Sequence, residues 1–312
     1  MLPEDKTCSD QVGDDAVAQI LSDNIAVVEN VDVFTPIHDD PYIQGEIVAC
    51  NASNDVFAMG VTTLVSLQAF LAYPKSMDEE VIVDVLRGMN DFMERLNSKV
   101  TGGQTIKNPC PVFGGVCLGV IHPKDIIYSK GARHGDIILL TKPLGIQPAM
   151  RSYRDLQDEK RTNLLAEFDE EELCKMQETA VKIMTQSNLE VARVMRSIGV
   201  HAATDVTGFG VLGHAQNVAT LSEVQIEIES LPVIKGTLEL AEFFGHKLAA
   251  GLGAETAGGM LVFLHPEKVD AFRYELREFG LPCWPIGHVT KDSDAPSASL
   301  AEGIEFIETD FP

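Results

Sequence analysis

The glycine-rich stretch at residues 204–214 is the feature that most constrains how this chain can fold. It reads Thr-Asp-Val-Thr-Gly-Phe-Gly-Val-Leu-Gly-His, follows an apolar run and opens another. A turn of this kind presents an acidic side chain and exposed backbone N–H groups at one point. Such groups bind phosphate and metal ions. Asp14, Asp32 and Asp55 are further candidate ligands.

Length and charge limit the class of protein. The 312 residues are 45% hydrophobic, which allows a large core. The length predicts about two domains. Acidic residues number 47 against 24 basic ones, and the formal net charge of −23 disfavours nucleic acid and anionic membranes as partners. An anionic ligand such as a nucleotide is therefore expected to bind together with a divalent cation.

The cysteines and the N-terminal sequence predict a cytoplasmic protein. The 6 cysteines form no C-x-x-C pair, which argues against a zinc site or a disulfide framework. No cationic leader precedes an apolar stretch at the start of the sequence. No segment reaches the roughly 20 apolar residues that a membrane span requires.

The pattern of apolar residues predicts alternating strands and helices. A strand over residues 24–34 leads to Asp40 and Pro41, an N-cap followed by proline at the first helical position. This helix is expected to end near Gly60 and to place Asn51 and Asp55 on one face. Further strands are predicted at residues 62–73, 112–122, 136–141, 224–229, 259–264 and 284–289.

The remaining segments are predicted as helices and turns. A capping box at residues 76–79 is expected to open an amphipathic helix. Residues 101–104 are typical of a turn. One long helix is predicted from Asp169 to Gly199. The polar, loop-like sequence after residue 122 predicts a domain boundary. The N-terminal domain is expected at residues 1–128 and the C-terminal domain at residues 129–312.

Three interpretations of the glycine-rich stretch are open. Residues 208–213 form a G-x-G-x-x-G, and Glu229 lies about 20 residues further on, as in dinucleotide-binding folds. Asp205 and Thr207, however, stand before the first glycine, and a carboxylate repels a pyrophosphate unless a metal intervenes. Tight structural packing and metal–phosphate binding are the other two interpretations.

The acidic and histidine candidates differ in their local sequence. Asp32 and Asp55 interrupt apolar segments, where an unpaired charge is costly, although an N-cap or a local salt bridge would also explain them. Asp14 belongs to a Gly-Asp-Asp run that on its own is typical of a solvated loop. His201 and His214 flank the glycine-rich stretch without metal-ligand spacing, and we interpret them as packing or helix-terminal residues.

Six segments of the chain resemble the selenophosphate synthetases, members of the ATP-binding superfamily that includes aminoimidazole ribonucleotide synthetase. The matching segments are residues 31–41, 50–60, 101–105, 141–145, 204–214 and 255–259. They are in register over nearly the whole length. The resemblance implies an α+β N-terminal domain that dimerises through its sheet and an α/β C-terminal domain. It also places the active site in the cleft between them.

The resemblance implies an activity and a set of site residues. The activity is the ATP-dependent conversion of selenide to selenophosphate, with AMP and orthophosphate as the other products. Mg²⁺ would be held by Asp14, Asp32, Asp55 and Asp205. The implied nucleotide-binding residues are Val12, Gly13, Asp14, Asp32, Asn51, Asp55, Gly102, Gly103, Gln104 and Thr105. K⁺ is a further candidate cation, and a second copy of the chain and proteins of selenocysteine synthesis are candidate partners.

One element of the family pattern has no match in the sequence. The resemblance implies a glycine-rich loop, upstream of the first metal aspartate, in which a cysteine or selenocysteine shortly precedes a lysine. Cys8 does not substitute, because Lys6 precedes it and no glycines flank it. A deliberate truncation, or a reading frame begun after a selenocysteine codon, would produce such a chain. We therefore expect folding, dimerisation and nucleotide binding, but little or no selenophosphate synthesis.

Two other functions stay open at the level of sequence. A non-catalytic, nucleotide-binding regulatory homologue would share the same segments without the missing loop. A nicotinamide-dinucleotide-dependent dehydrogenase would use the G-x-G-x-x-G of residues 208–213.

Overall fold

Two mixed β-sheets with helices packed against them form the fold in the computed structural model, which describes residues 13–292 and 295–312. The first sheet contains β1 Val17–Ser22, β2 Ile25–Phe34, β3 Thr63–Tyr73, β4 Val100–Lys107 and β5 Val112–Ile121. Its order is β1-β2-β5-β3-β4, antiparallel except between β3 and β4. Helices α1 Pro41–Ala58 and α2 Glu79–Arg95 pack against it.

The second sheet follows the first in the sequence. Its strands are β6 Ile137–Leu140, β7 Ala202–Asp205, β8 Val224–Ile234, β9 Met260–Leu264, β10 Trp284–Asp292 and β11 Ser297–Thr309. Its order is β11-β8-β10-β6-β9-β7, antiparallel except between β11 and β8. The accompanying helices are α3 Ile146–Leu156, α4 Arg161–Leu164, α5 Glu170–Thr185, α6 Leu189–Ile198, α7 Gly210–Ser222, α8 Thr237–Phe244 and α9 Val269–Glu278. The domain boundary at residues 128 and 129 stays a prediction.

Helix α1 is the central helix of the molecule. The Asp40 carboxylate accepts hydrogen bonds from the N–H groups of Tyr42 (2.8 Å) and Ile43 (3.1 Å), so the predicted helix start is confirmed. Most of its residues are buried, because it packs against β2 and β5 on one side and against α5, α6 and β7 on the other. It therefore carries Asn51 and Asp55 to the junction of the two sheets.

One apolar cluster continues from the first sheet into the helices of the second. It includes Phe57 of α1, Met89 of α2, Ile183 of α5 and Val194 of α6, all at most 1% exposed. No helix in the described part of the chain has the length and apolar character that a membrane span requires.

The turn predicted at residues 101–104 is wrong, because these residues form part of strand β4. Gly103 has a φ of +149°, and a Cβ placed on it would lie 1.9 Å from the carbonyl oxygen of Ala69. The missing side chain thus permits close parallel pairing with β3. The predicted capping box is also wrong, since α2 begins at Glu79 with Asp78 as its N-cap.

The long helix predicted from Asp169 to Gly199 is divided into α5 and α6. Gln186 ends α5 in an extended conformation with ψ of 115°. The ammonium group of Lys142 donates hydrogen bonds to the carbonyl oxygens of Ile183 (3.0 Å) and Gln186 (2.6 Å). A cation at the carboxyl end of a helix satisfies free carbonyl groups and stabilises the helix end. The break therefore depends on a residue that is distant in the sequence.

Candidate functional site

Carboxylates from both sheets meet at the end of β7. Asp205 is the last residue of β7, and Asp55 of α1 lies within hydrogen-bonding reach of both Asp205 and Asp32 of β2. Ligand atoms of Asp15, Asp205 and His214 lie within 4.8 Å of one another. Asp15, Asp32, Asp55 and Asp205 thus form one group, which we call the carboxylate cluster.

Burial raises the pKa of every carboxyl group in this cluster, and at all of them except Asp32 the charge of a neighbouring carboxylate raises it further. At Asp15 and Asp55 burial is the larger cause, and the negative charge of Asp205 adds to it. Burial, reinforced by the charge of Asp32, raises the pKa of Asp205 to about 7. Carboxyl groups so close together keep protons unless a cation offsets their charge. The cluster therefore has the electrostatics of a cation site.

Hydrogen bonds distinguish Asp15 from its neighbour Asp14. The Asp15 carboxylate accepts from the hydroxyl groups of Thr204 (2.6 Å) and Ser129 (3.2 Å). Asp14, the candidate from the sequence, accepts from the backbone N–H of Ser129 (2.7 Å). The structure thus brings Asp15, which we did not predict, next to Asp205. A metal-binding role for Asp14 stays a prediction.

Asn51 connects the carboxylate cluster to the segment at residues 255–259. Its Nδ2 donates to Oδ2 of Asp32 (2.9 Å), and its Oδ1 accepts from the backbone N–H of Ala257 (2.7 Å). One turn later in α1, Nδ2 of Asn54 donates to the carbonyl oxygen of Gly258 (3.3 Å). The segment is therefore tied to α1 at two points beside the cluster.

The two histidines that flank the glycine-rich stretch have different surroundings. Burial lowers the pKa of His214 to about 4, and its Nε2 accepts from the backbone N–H of Thr207 (3.1 Å), so the ring is neutral. His214 also lies next to Asp15 and Asp205, which our interpretation as a packing residue did not foresee. Nδ1 of His201 lies 2.8 Å from Oδ1 of Asp136.

A cleft of about 570 Å³ opens beside the carboxylate cluster. It is lined by Gly13, Asp14, Asp15, Asp55, Asp205, Thr207, Phe209, Gly213, His214, Gln216, Asn217 and Thr220. The start of α7 therefore faces the cleft, and a helix N-terminus favours anions. Val12, predicted to bind nucleotide, lies outside the described residues.

The dinucleotide-binding interpretation of residues 208–213 is wrong. That fold needs the strand before the glycines to lie in a parallel sheet beside the strand that follows the helix. Here β7 pairs antiparallel with β9, and three strands separate it from β8, which carries Glu229. The glycine turn instead follows Asp205 directly and opens on the cleft.

Residues 102–105 do not reach the carboxylate cluster within one chain. They lie on β4, the exposed edge strand of the first sheet. The register places Gly103 beside Ala69, Ala69 beside Gly115, and Gly115 beside Asp32. Three strand spacings of roughly 4.8 Å put Gly103 about 14 Å from Asp32.

Known protein families and known proteins match this chain over nearly its whole length. Residues 12–121 match the N-terminal domain, and residues 133–296 the C-terminal domain, of AIR synthase related protein. Selenide, water dikinase of Methanococcus maripaludis is 40% identical over 95% of this chain and 89% of its own. The enzyme of the same name from Methanocaldococcus jannaschii is 39% identical over 97% of this chain and 88% of its own.

Solved structures share the fold at low sequence identity. AaThiL complexed with AMPPCP and TMP superposes with a TM-score of 0.72 and 18% identity, covering 92% of this chain and 87% of its own. Hydrogenase maturation protein HypE in complex with ATP superposes with a TM-score of 0.70 and 19% identity, covering 92% of this chain and 84% of its own. The predicted two-domain fold of the aminoimidazole ribonucleotide synthetase type is confirmed, with a mixed second sheet. The chain belongs to the selenide, water dikinase family of AIR synthase related proteins.

Proposed function

We propose that this chain binds ATP together with Mg²⁺ and acts in the synthesis of selenophosphate from selenide. The observation that carries the proposal is the carboxylate cluster, assembled from both sheets beside a cleft. Relatives bear the name selenide, water dikinase. With AMP and orthophosphate as the other products, both phosphoanhydride bonds of ATP break. One phosphoryl group goes to selenium and the other to water.

The carboxylate cluster fits a divalent cation. Its donors are carboxylate oxygens, which Mg²⁺ prefers. The positive charge of Lys142 lowers the pKa of Asp205 but does not cancel the effect of burial and repulsion, so the pKa values stay raised. We assign Asp15, Asp32, Asp55 and Asp205 as the residues that hold the ion, with Asp14 as a further candidate. Bound Mg²⁺ would offset the charge of the triphosphate and of the transferred phosphoryl group.

The glycine turn is suited to bind phosphate oxygens through its backbone. Among the described residues, no heavy atom beyond those of its chain neighbours lies within 4 Å of the position that a Cβ would take on Gly208, so a ligand can approach the backbone there. Gly210 has a φ of +69° and begins α7, whose dipole favours anions at this end. Because the ring of His214 is neutral, the attraction for phosphate would come from these backbone groups and the metal.

We also propose that the chain forms a homodimer through the outer face of the first sheet. Val31 and Val33, which alternate with Asp32, are 63% and 48% exposed. Other large apolar residues exposed on this sheet are Val17, Ile20, Leu21, Ile25, Val65 and Ile106. Exposed apolar surface of this extent is typical of a protein–protein interface. Sedimentation equilibrium measures the association directly.

Calorimetric titration with a non-hydrolysable ATP analogue and Mg²⁺ tests the proposed site. We expect the wild-type chain to bind, and Asp55→Ala and Asp205→Ala to lose binding, because each removes a cluster carboxylate. Asp84→Ala is the matched control, since this carboxylate lies on α2 and pairs with Arg87 at the surface. Equal affinity for all four proteins would overturn the assignment of the cluster.

Release of AMP in the presence of selenide tests the reaction itself. Our expectation of little or no selenophosphate synthesis concerns residues outside the described ranges and stays a prediction. A regulatory homologue would bind the ATP analogue without this release. Selenide-dependent AMP release that is lost in Asp205→Ala would support the enzyme and would contradict the expected low activity.

A further inference from the structure

Residues 255–259, here called the bridge segment, contact both sources of cluster carboxylates. On one side, the N–H of Ala257 donates to Asn51 (2.7 Å), whose Nδ2 in turn donates to Oδ2 of Asp32 (2.9 Å). On the other side, the carbonyl oxygen of Gly259 accepts from the N–H of Val206 (2.9 Å), the residue after Asp205. One short segment is therefore hydrogen-bonded to Asn51, which binds the Asp32 carboxylate, and to Val206, which follows Asp205. The two carboxylates belong to different sheets.

The buried side chain of Lys142 binds the backbone of the bridge segment. Its side chain is 2% exposed, and its ammonium donates to the carbonyl oxygens of Ala257 (2.9 Å), Ile183 (3.0 Å) and Gln186 (2.6 Å). A buried ammonium without such partners is costly, so these three bonds fix its position. The N–H and the C=O of Ala257 thus both bind side chains, Asn51 of α1 and Lys142, which lies two residues after the end of β6.

The backbone of the bridge segment is confined to this path. Ala257 is fully buried with a φ of +48°, a conformation that L-residues rarely adopt and that persists only where the surroundings impose it. A Cβ on Gly258 would lie 2.0 Å from the carbonyl oxygen of Val206, and one on Gly259 would lie 2.4 Å from the backbone nitrogen of Lys142. The segment is therefore packed backbone against backbone beside Asp205.

We infer that the bridge segment sets the orientation of Asp32 relative to Asp205 for metal binding. Lys142 fixes Ala257, and Ala257 acts through Asn51 on one oxygen of the Asp32 carboxylate. Lys142 and Ala257 are then positioning residues, which do not touch the metal. This inference rests on the proposed function, because it assigns a metal to the carboxylate cluster. Residues that orient metal ligands commonly change metal affinity by about 10- to 100-fold when they are replaced.

Titration of Mn²⁺ followed by electron paramagnetic resonance, without nucleotide, tests the inference. Gly258→Ala keeps every hydrogen-bonding group of the bridge segment, but its Cβ would lie 2.0 Å from the carbonyl oxygen of Val206 and so displaces the segment from its place beside Asp205. We expect the Mn²⁺ dissociation constant to rise about tenfold. Lys142→Met is expected to weaken Mn²⁺ binding as well, and Gly258→Ala keeps the test decisive if Lys142→Met does not fold.

Gly88→Ala is the matched control, because a Cβ there would also lie 2.0 Å from a backbone carbonyl oxygen, that of Tyr42, but between α2 and the first turn of α1. Its Mn²⁺ affinity should equal that of the wild type. A folded Gly258→Ala protein with unchanged Mn²⁺ affinity would show that the bridge segment only supports the fold, and would overturn the inference. If instead the wild type and Asp205→Ala bind Mn²⁺ equally weakly, the proposed function itself fails.

Discussion

Mild acid should stabilise the metal-free protein, because its cluster carboxyl groups hold protons more tightly in the folded state. Burial and the charge of Asp32 raise the pKa of Asp205 from 3.8 to about 7. A raised pKa gives a contribution that is complete below the unfolded pKa and is lost as the pH rises through the folded one. At about 1.4 kcal/mol per unit, Asp205 alone lowers the free energy of unfolding by about 2 kcal/mol between about pH 5.5 and pH 8.

Urea unfolding in EDTA across this pH range measures the effect, with Asp205→Asn as the reference protein. Burial also raises the pKa of Glu255 to about 8, but this carboxyl is present in both proteins and largely cancels in the comparison. Removing the charge of Asp205 also lowers the pKa of Asp15 and Asp55, so we expect the wild type to lose at least about 2 kcal/mol more than Asp205→Asn. Added Mg²⁺ should stabilise the wild type more at the higher pH. Parallel pH profiles in EDTA would refute the reasoning.

Two further predictions concern the first sheet. A Cβ on Gly114 would lie 2.0 Å from the carbonyl oxygen of Asp32, so Gly114→Ala should displace β2 and weaken calorimetric binding of the Mg²⁺–nucleotide analogue. Gly287→Ala is its control, because a Cβ there would lie 2.1 Å from the carbonyl oxygen of Glu227 but between β10 and β8 of the second sheet, and equal losses in both would contradict the prediction. Val31→Glu should yield a monomer in sedimentation equilibrium, whereas Val83→Glu on α2, equally exposed but outside the sheet, should leave a dimer. A dimeric Val31→Glu would exclude this face.

The start of helix α1, which depends on local signals, was predicted correctly, whereas elements set by distant contacts were not. Helix α1 begins where Asp40 and Pro41 predict, because a cap and a proline act within one turn. Strand β4 was predicted as a turn, because the sequence does not show that Gly103 will pair with Ala69. Similarly, the end of α5 depends on Lys142, more than 40 residues earlier.

The same distinction applies to the candidate site. Asp32 and Asp55 were recognisable because each interrupts an apolar segment, where a carboxylate needs a function or a partner. The choice between Asp14 and Asp15 could not be made locally, because the two are adjacent in one acidic run. Hydrogen bonds from Thr204 and Ser129, which lie far away in the sequence, bring Asp15 next to Asp205, whereas Asp14 accepts from the backbone N–H of Ser129.

The apolar cluster shared by α1, α5 and α6 has a consequence for how the chain can vary. A substitution that enlarges Phe57 or Val56 of α1 would need compensation from residues such as Ile183 or Val194, which belong to the other half of the sequence. Chimaeras that join the first half of one homologue to the second half of another should therefore melt earlier than either parent. We expect substitutions in this cluster in one half of the sequence to be accompanied by compensating substitutions in the other half.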